Sequence, residues 1–200
     1  MVNWHALGGL ALSAAAVTGT PGPSNLSLLA AGSAYGIGRC RRYLLGIVGG
    51  TLIVLAAVAT GVTAMLRAAP VLVPVALVCG ALYILWLAYH IATAPPLTSS
   101  LETRAAAPSW PGGLLLGVAN PKAWIALAAV FATARAVGTG LVATGARVGV
   151  VAAMVCAASA TWLVAGRVVA PLFSAPRRAR IVNVGLAVAL VGATALSIWA

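Results

Sequence analysis

Ala6 to Ala34 read ALGGLALSAAAVTGTPGPSNLSLLAAGSA, a run without a charged side chain that carries two prolines close to its middle. Roughly 20 apolar residues in a helix cross the hydrocarbon core of a bilayer, so this stretch is long enough to span. Its centre, Thr20-Pro21-Gly22-Pro23-Ser24-Asn25, cannot lie inside an unbroken helix. Each proline lacks an N–H and its ring crowds the carbonyl four residues back, which frees the acceptors of Val17 and Gly19. An unsatisfied backbone group in hydrocarbon costs several kcal/mol, so such a break persists only where it is buried in protein or lines a polar cavity. The break is therefore expected to point inward.

The rest of the chain calls for the same solvent. Hydrophobic residues make up 62% and charged residues 6%, with a mean hydropathy of +1.09; an ordinary soluble domain has roughly 45–50% apolar and about 25% charged residues. A chain dissolved in lipid can present Leu, Val and Ala on every outward face, whereas a soluble one must cover its exterior with polar groups. The net charge of +11, with Glu102 as the single acidic residue, does not indicate nucleic acid. Its arginines sit in short gaps between apolar runs, where they orient membrane insertion, and form no contiguous stripe to neutralise phosphates. Cys40, Cys79 and Cys156 are far apart and in no CxxC or Cys/His arrangement, so neither a disulfide framework nor a metal site is implied. Cys79 and Cys156 are expected to be buried small apolar residues. Without Lys or Arg among the first nineteen residues, the start lacks the charged region of a secretory signal and reads as a retained first span.

Further spans are expected at Tyr43 to Leu66, Val71 to Ala92, Gly112 to Ala134, Arg147 to Gly166 and Ile181 to Trp199. The polar stretch from Thr93 to Pro111, with Pro95, Pro96, Ser99, Ser100, Glu102, Arg104 and Pro108, divides them three and three. The expected organisation is all-α: a first three-helix repeat over 1–92, a cytoplasmic linker over 93–111 and a second repeat over 112–200. Gaps one, three and five hold eight arginines (39, 41, 42, 104, 167, 177, 178 and 180), and gaps two and four hold three (67, 135 and 147). With the positive side cytoplasmic, both termini face the periplasm. An odd number of spans per half makes the two repeats inverted.

The fourth span repeats the interruption. Asn120-Pro121-Lys122 reads as a helix cap followed by a first helical position, because the Asn amide oxygen accepts from downstream N–H groups and proline has no N–H to lose there. Thr20-Pro21 reads the same way. Interrupted helices at corresponding positions of two halves point to a transport site near the midplane, with half-helix N-termini aimed at an anionic group such as a carboxylate. Lys122, the single lysine, falls at membrane depth, where an ionisable side chain is a site candidate; the alternative is a stem that snorkels to the interface. The candidate substrate-binding residues are Thr20, Pro21, Gly22, Pro23, Ser24, Asn25, Thr51, Asn120, Pro121 and Lys122.

TPGPSNL at 20–26, Gly36 with the Arg-rich turn through Arg42, Gly46, Gly49 and Gly50, GALYILWLAYH at 80–90, NPKAW at 120–124 and PRRARIVNVGLAVALVGATAL at 176–196 together resemble the LysE/RhtB family of lysine and homoserine/threonine exporters. The resemblance implies export of amino acids or their derivatives across the bacterial inner membrane, driven by the proton gradient or by counter-ion exchange. Thr51 stands where many members carry an acidic residue, and Ala126, Ala128, Thr133 and Ala134 replace the family's aromatic and glutamine run. Proton relays in membranes use Asp, Glu or His, and no carboxylate remains in any expected span, so neutral zwitterions are favoured over cationic substrates.

Other signals have plainer readings. His5 and His90 lie near span ends as interfacial residues, and Tyr83, Trp86 and Tyr89 share a helical face that lines a cavity or forms an aromatic belt. Gly32/Gly36, Gly46/Gly50, Gly113/Gly117 and Gly145/Gly149 allow close helix approach, within one protomer or in a homodimer. No nucleophile, base and orienter set exists, so no enzyme activity is expected, nor any cofactor. The competing readings are a cation or metal transporter or thiol carrier of related fold, which lacks CxxC, intramembrane carboxylates and His clusters, and a membrane scaffold without flux.

Overall fold

A computed structural model describes residues 2–61, 72–93, 107–170 and 176–199. Arg67, Glu102, Arg104 and residues 94–106 of the expected linker lie outside the described residues, as do the side chains of Cys79, Thr133, Arg135, Arg177 and Arg178. Among the described residues the regular structure is helical: α1 Trp4–Gly19, α2 Pro23–Tyr35, α3 Ile37–Ala59, α4 Leu72–Ala92, α5 Trp110–Ala119, α6 Pro121–Thr133, α7 Leu141–Val169 and α8 Pro176–Trp199. A short 3-10 turn, Ala134–Val137, follows α6.

Both expected interruptions are present. The run containing TPGP divides into α1 and α2, and Asn120 separates α5 from α6, which bend by 55°. By length and composition α3 and α7 can each cross a membrane, and the bent pair α5/α6 forms a third candidate span. Several boundaries differ from the sequence reading. Helix α3 begins at Ile37, so Arg39, Arg41 and Arg42 occupy its first turns instead of a turn of their own, and α7 runs from Leu141 past both Arg147 and Arg167. Helices need not stop where hydrocarbon stops: in the interface their hydrogen bonds remain worth keeping while Arg reaches water. Gly36, with φ 76°, separates α2 from α3 in a conformation an L side chain rarely adopts.

Polarity runs opposite to that of a soluble protein. Leu141, Leu12 and Leu196 are more than 70% exposed on the outer surface, while Ser24, Asn25, Ser27, Asn120, Ser159 and Asn183 are buried. Cys156 is exposed on α7, against the expectation of burial; where lipid replaces water, a small apolar thiol has no reason to hide. Cys40 is buried, its thiol 3.4 Å from the Ala31 carbonyl oxygen.

The tightest packing is crosswise between the halves. Helix α3 packs most extensively on α5, and α2 on α7. A Cβ built at Gly46 would meet the Trp110 carbonyl and lie 2.8 Å from the Leu114 nitrogen; one at Gly50 would lie 2.9 Å from the Gly117 Cα. Gly113 and Gly117 return the contact against Tyr43 and Ile47. Two of the four GxxxG pairs therefore form one interface inside the protomer, where small residues let backbones touch. Gly32 and Gly166 join α2 to α7 in the same way, against the backbones of Leu163 and Leu29. A Cβ built at Gly145 or Gly149 would meet no other part of the described structure within 4 Å.

Candidate functional site

Proline arithmetic accounts for the first break. Pro21 and Pro23 withdraw the N–H groups that Val17 and Gly19 would have used, and both carbonyls find other donors: Thr20 Oγ1 donates to Val17 O at 2.8 Å, and Trp162 Nε1, from α7, to Gly19 O at 3.1 Å. Asn25 Nδ2 adds bonds to the carbonyls of Thr18 (2.7 Å) and Thr20 (2.9 Å). One expectation is corrected here. Thr20-Pro21 does not start a helix; Thr20 is the C-cap of α1, and α2 starts at Pro23 after an extended Gly22. The residue before a proline is steered out of the α region, which favours the extended Gly22 and moves the start to the second proline.

The second break follows the Asn-Pro reading. Asn120 Oδ1 accepts from the Lys122 backbone N at 3.1 Å, and Pro121 takes the first helical position. Trp124 Nε1 donates to Val118 O at 2.7 Å, near the end of α5. Each break thus has an indole attending a carbonyl at its upstream helix end.

The two breaks touch. Asn120 Nδ2 donates to Ser24 Oγ at 2.8 Å. The Lys122 ammonium donates to Thr20 O at 2.7 Å, Thr20 Oγ1 at 2.6 Å and Pro21 O at 3.2 Å. An ammonium has three donors, and all three are spent on the first break. Its stem passes over Gly22, where a Cβ would lie 2.6 Å from Lys122 Cδ.

Beside this junction lies a cavity of about 50 Å³, room for roughly four waters. Gly22, Ser24, Asn25, Thr51, Asn120 and Lys122 line it, together with Thr18 and Ser159; Ile47, Ala126, Leu127, Val155 and Ala158 supply apolar wall. Thr20, Pro21, Pro23 and Pro121 do not line it: they set the backbone path, and Thr20 and Pro21 hold Lys122. Ser159, Thr18 and Trp162 went unnoticed in the sequence because single polar residues in apolar helices carry no local signal. The freed Gly19 carbonyl was the available clue to Trp162. Beneath the cavity Tyr43 OH donates to Ser27 Oγ at 3.1 Å, and Ser27 Oγ to Ser24 O at 2.7 Å, which pins the first turn of α2. The aromatic face of α4 is elsewhere: Tyr83 stacks on Trp86 at 5.5 Å, Trp86 meets His90 at 4.3 Å, and none of them lines the cavity. No group of three or more metal-ligating side chains occurs among the described residues.

A bilayer-solvated helical chain with two mutually bonded helix breaks beside a polar cavity has the anatomy of a membrane translocator. The family model described as LysE type translocator matches residues 15–197, and the chain belongs to that family. That family is one of translocators, and the long apolar helices suit a multi-pass membrane protein. Among curated proteins it is similar to the cysteine/O-acetylserine efflux proteins of Escherichia coli O1:K1 / APEC and of Escherichia coli O6:K15:H31 (strain 536 / UPEC), each 35% identical over 85 residues, 42% of this chain. The match spans 44% of the length of those relatives. No solved structure matches the chain.

Proposed function

We propose that the protein exports small neutral amino acids or closely related zwitterionic metabolites across the bacterial inner membrane by alternating access. The observation that carries this reading is the junction of the two breaks, Asn120 on Ser24 and Lys122 on Thr20 and Pro21. The first N–H groups of α2 and α6 lack intrahelical partners and carry the positive end of each helix dipole, which suits a carboxylate. Thr18, Thr51 and Ser159 offer hydroxyls for an ammonium or a polar side chain. With no acidic residue in the chain besides Glu102, a cationic side chain would find no counter-charge there. The efflux activity named for the relatives concerns two small zwitterions, a class that the hydroxyl and amide groups of the lining suit once the cavity widens to admit one.

In this reading α1/α2, α3, α4, α5/α6, α7 and α8 form six spans in two inverted repeats, residues 1–92 and 112–200, joined by a cytoplasmic segment, with both termini periplasmic. A proton or counter-ion supplies the driving force. The site comprises the residues from Thr20 to Asn25, Thr51 and Asn120 to Lys122. Everted membrane vesicles test it: they should accumulate a neutral amino acid such as cysteine, and Pro21→Leu and Lys122→Ala should abolish uptake while the protein remains folded. Unchanged uptake in both variants would remove the site assignment.

A further inference from the structure

Helix α1 ends at Gly19, and the carbonyls of Thr20 and Pro21 follow it in extended backbone outside any helix, just beyond the negative end of the α1 dipole. Carbonyls at unwound helix ends inside membrane proteins are the ligands from which transporters build sites for small monovalent cations. The Thr20 carbonyl, the Thr20 hydroxyl and the Pro21 carbonyl converge in this way, and the group they converge on is the Lys122 ammonium, at 2.7, 2.6 and 3.2 Å. The hydroxyl is oriented for that role, because its own proton goes to Val17 O, leaving its lone pairs to the cation. No carboxylate competes: Glu102 is the only acidic residue in the chain. Gly22 leaves the slot through which the lysine stem reaches the site, since a Cβ there would lie 2.6 Å from Cδ and 3.1 Å from Nζ.

We infer that Thr20 and Pro21 form a monovalent-cation site whose permanent occupant is the tethered ammonium of Lys122, so that the second half of the chain supplies the counter-charge for the broken helix of the first. Lys122 here is an internal ion with every N–H engaged, in place of a free cation taken from solution. For transport the inference rests on the exporter reading: flux then needs no sodium ion bound at this break, and a substrate carboxylate reaching Lys122 must compete with oxygens already bonded to it.

The test deletes the tether and returns the ion. Lys122→Ala removes three carbons and the nitrogen, which n-propylammonium replaces; n-propanol offers nearly the same shape without charge. In detergent, the unfolding midpoint of Lys122→Ala should rise by about 3–6 °C at a tenfold excess of n-propylammonium over its Kd. It should not move with n-propanol, and the unsubstituted protein should respond to neither. If Lys122→Ala does not survive extraction alone, the yield of monodisperse protein with n-propylammonium against n-propanol is the readout, and a higher yield with the amine is expected. Equal responses to amine and alcohol, or none to either, would overturn the inference. Because stability is read without flux, the two readings fail separately: an unsubstituted protein that moves no amino acid in vesicles would retire the exporter reading, while stabilisation of Lys122→Ala by propylammonium would leave the cation site standing.

Discussion

Replacing Gly50 by alanine adds one methyl group where α3 crosses α5, and the structure sets the size of the effect. The new Cβ would press on the Leu114 carbonyl and lie 2.9 Å from both the Gly117 Cα and the Val118 nitrogen. These are backbone atoms, so no side chain can swing aside and the helices must separate. Overpacking of this kind costs about 1–3 kcal/mol, and backbone on both sides argues for the upper end. Alanine returns up to about 1 kcal/mol of helix propensity, leaving a net loss of about 2 kcal/mol, which corresponds to a fall of about 4–8 °C in Tm for a chain of this size. Gly49→Ala is the matched control. Its Cβ meets only Leu114 Cδ1, at 3.7 Å, an ordinary contact, so it keeps the propensity gain without the clash. Thermal unfolding of both variants in one detergent reads the comparison directly. The same shift should carry Thr51, the next residue on α3, away from Asn120 and weaken ligand-induced stabilisation. A Gly50→Ala protein as stable as Gly49→Ala would refute the backbone-contact account of this interface.

Trp162→Phe removes the donor to Gly19 O, a carbonyl that Pro23 has already deprived of its helical partner. About 1 kcal/mol of stability should go with it, seen as a fall of about 2–4 °C in Tm, and an unchanged midpoint would mean that another donor serves that carbonyl. Ser159→Leu projects bulk into the cavity from α7; the protein should still extract as a monodisperse species but lose any thermal stabilisation by small neutral amino acids, and retained stabilisation would move the binding site elsewhere.

What the sequence made legible was the placement of strain. Prolines two residues apart in an apolar run announce a break, and Asn-Pro announces a capped restart, because both follow from missing N–H groups and local geometry. The inward turn expected of the first break holds only in part: Gly22 to Asn25 are buried and Ser24 meets Asn120, whereas Thr20 and Pro21 are exposed and meet the second break through Lys122. The register of the first restart was misjudged: Thr20 resembled a cap, but the exclusion of helical geometry before Pro23 outweighs it. Helices α3 and α7 start before the expected spans, since arginine marks only a change of solvent along a continuing helix, while α3 ends at Ala59, short of the expected Leu66, where Thr60 caps it and Gly61 turns left-handed. Ser159 and Trp162 depend on which faces of α7 meet α1 and α2, a long-range fact without a local pattern. The GxxxG pairs were visible, but four looked alike; only their partners separate Gly46/Gly50 with Gly113/Gly117 from Gly145/Gly149.

The glycine crossing also bears on how this chain could be divided. Gly46 and Gly50 come from the early part of the polypeptide and their counterparts from the late part, so each half houses the interrupted helix of the other. A fragment ending near residue 93 would carry a groove shaped for a backbone it does not possess, with Ser24 deprived of Asn120 and the α1 terminus of its lysine. Such a piece has no reason to persist by itself. Two pieces made together could reassemble, because the fit is built into their facing glycines and needs no covalent link to find it.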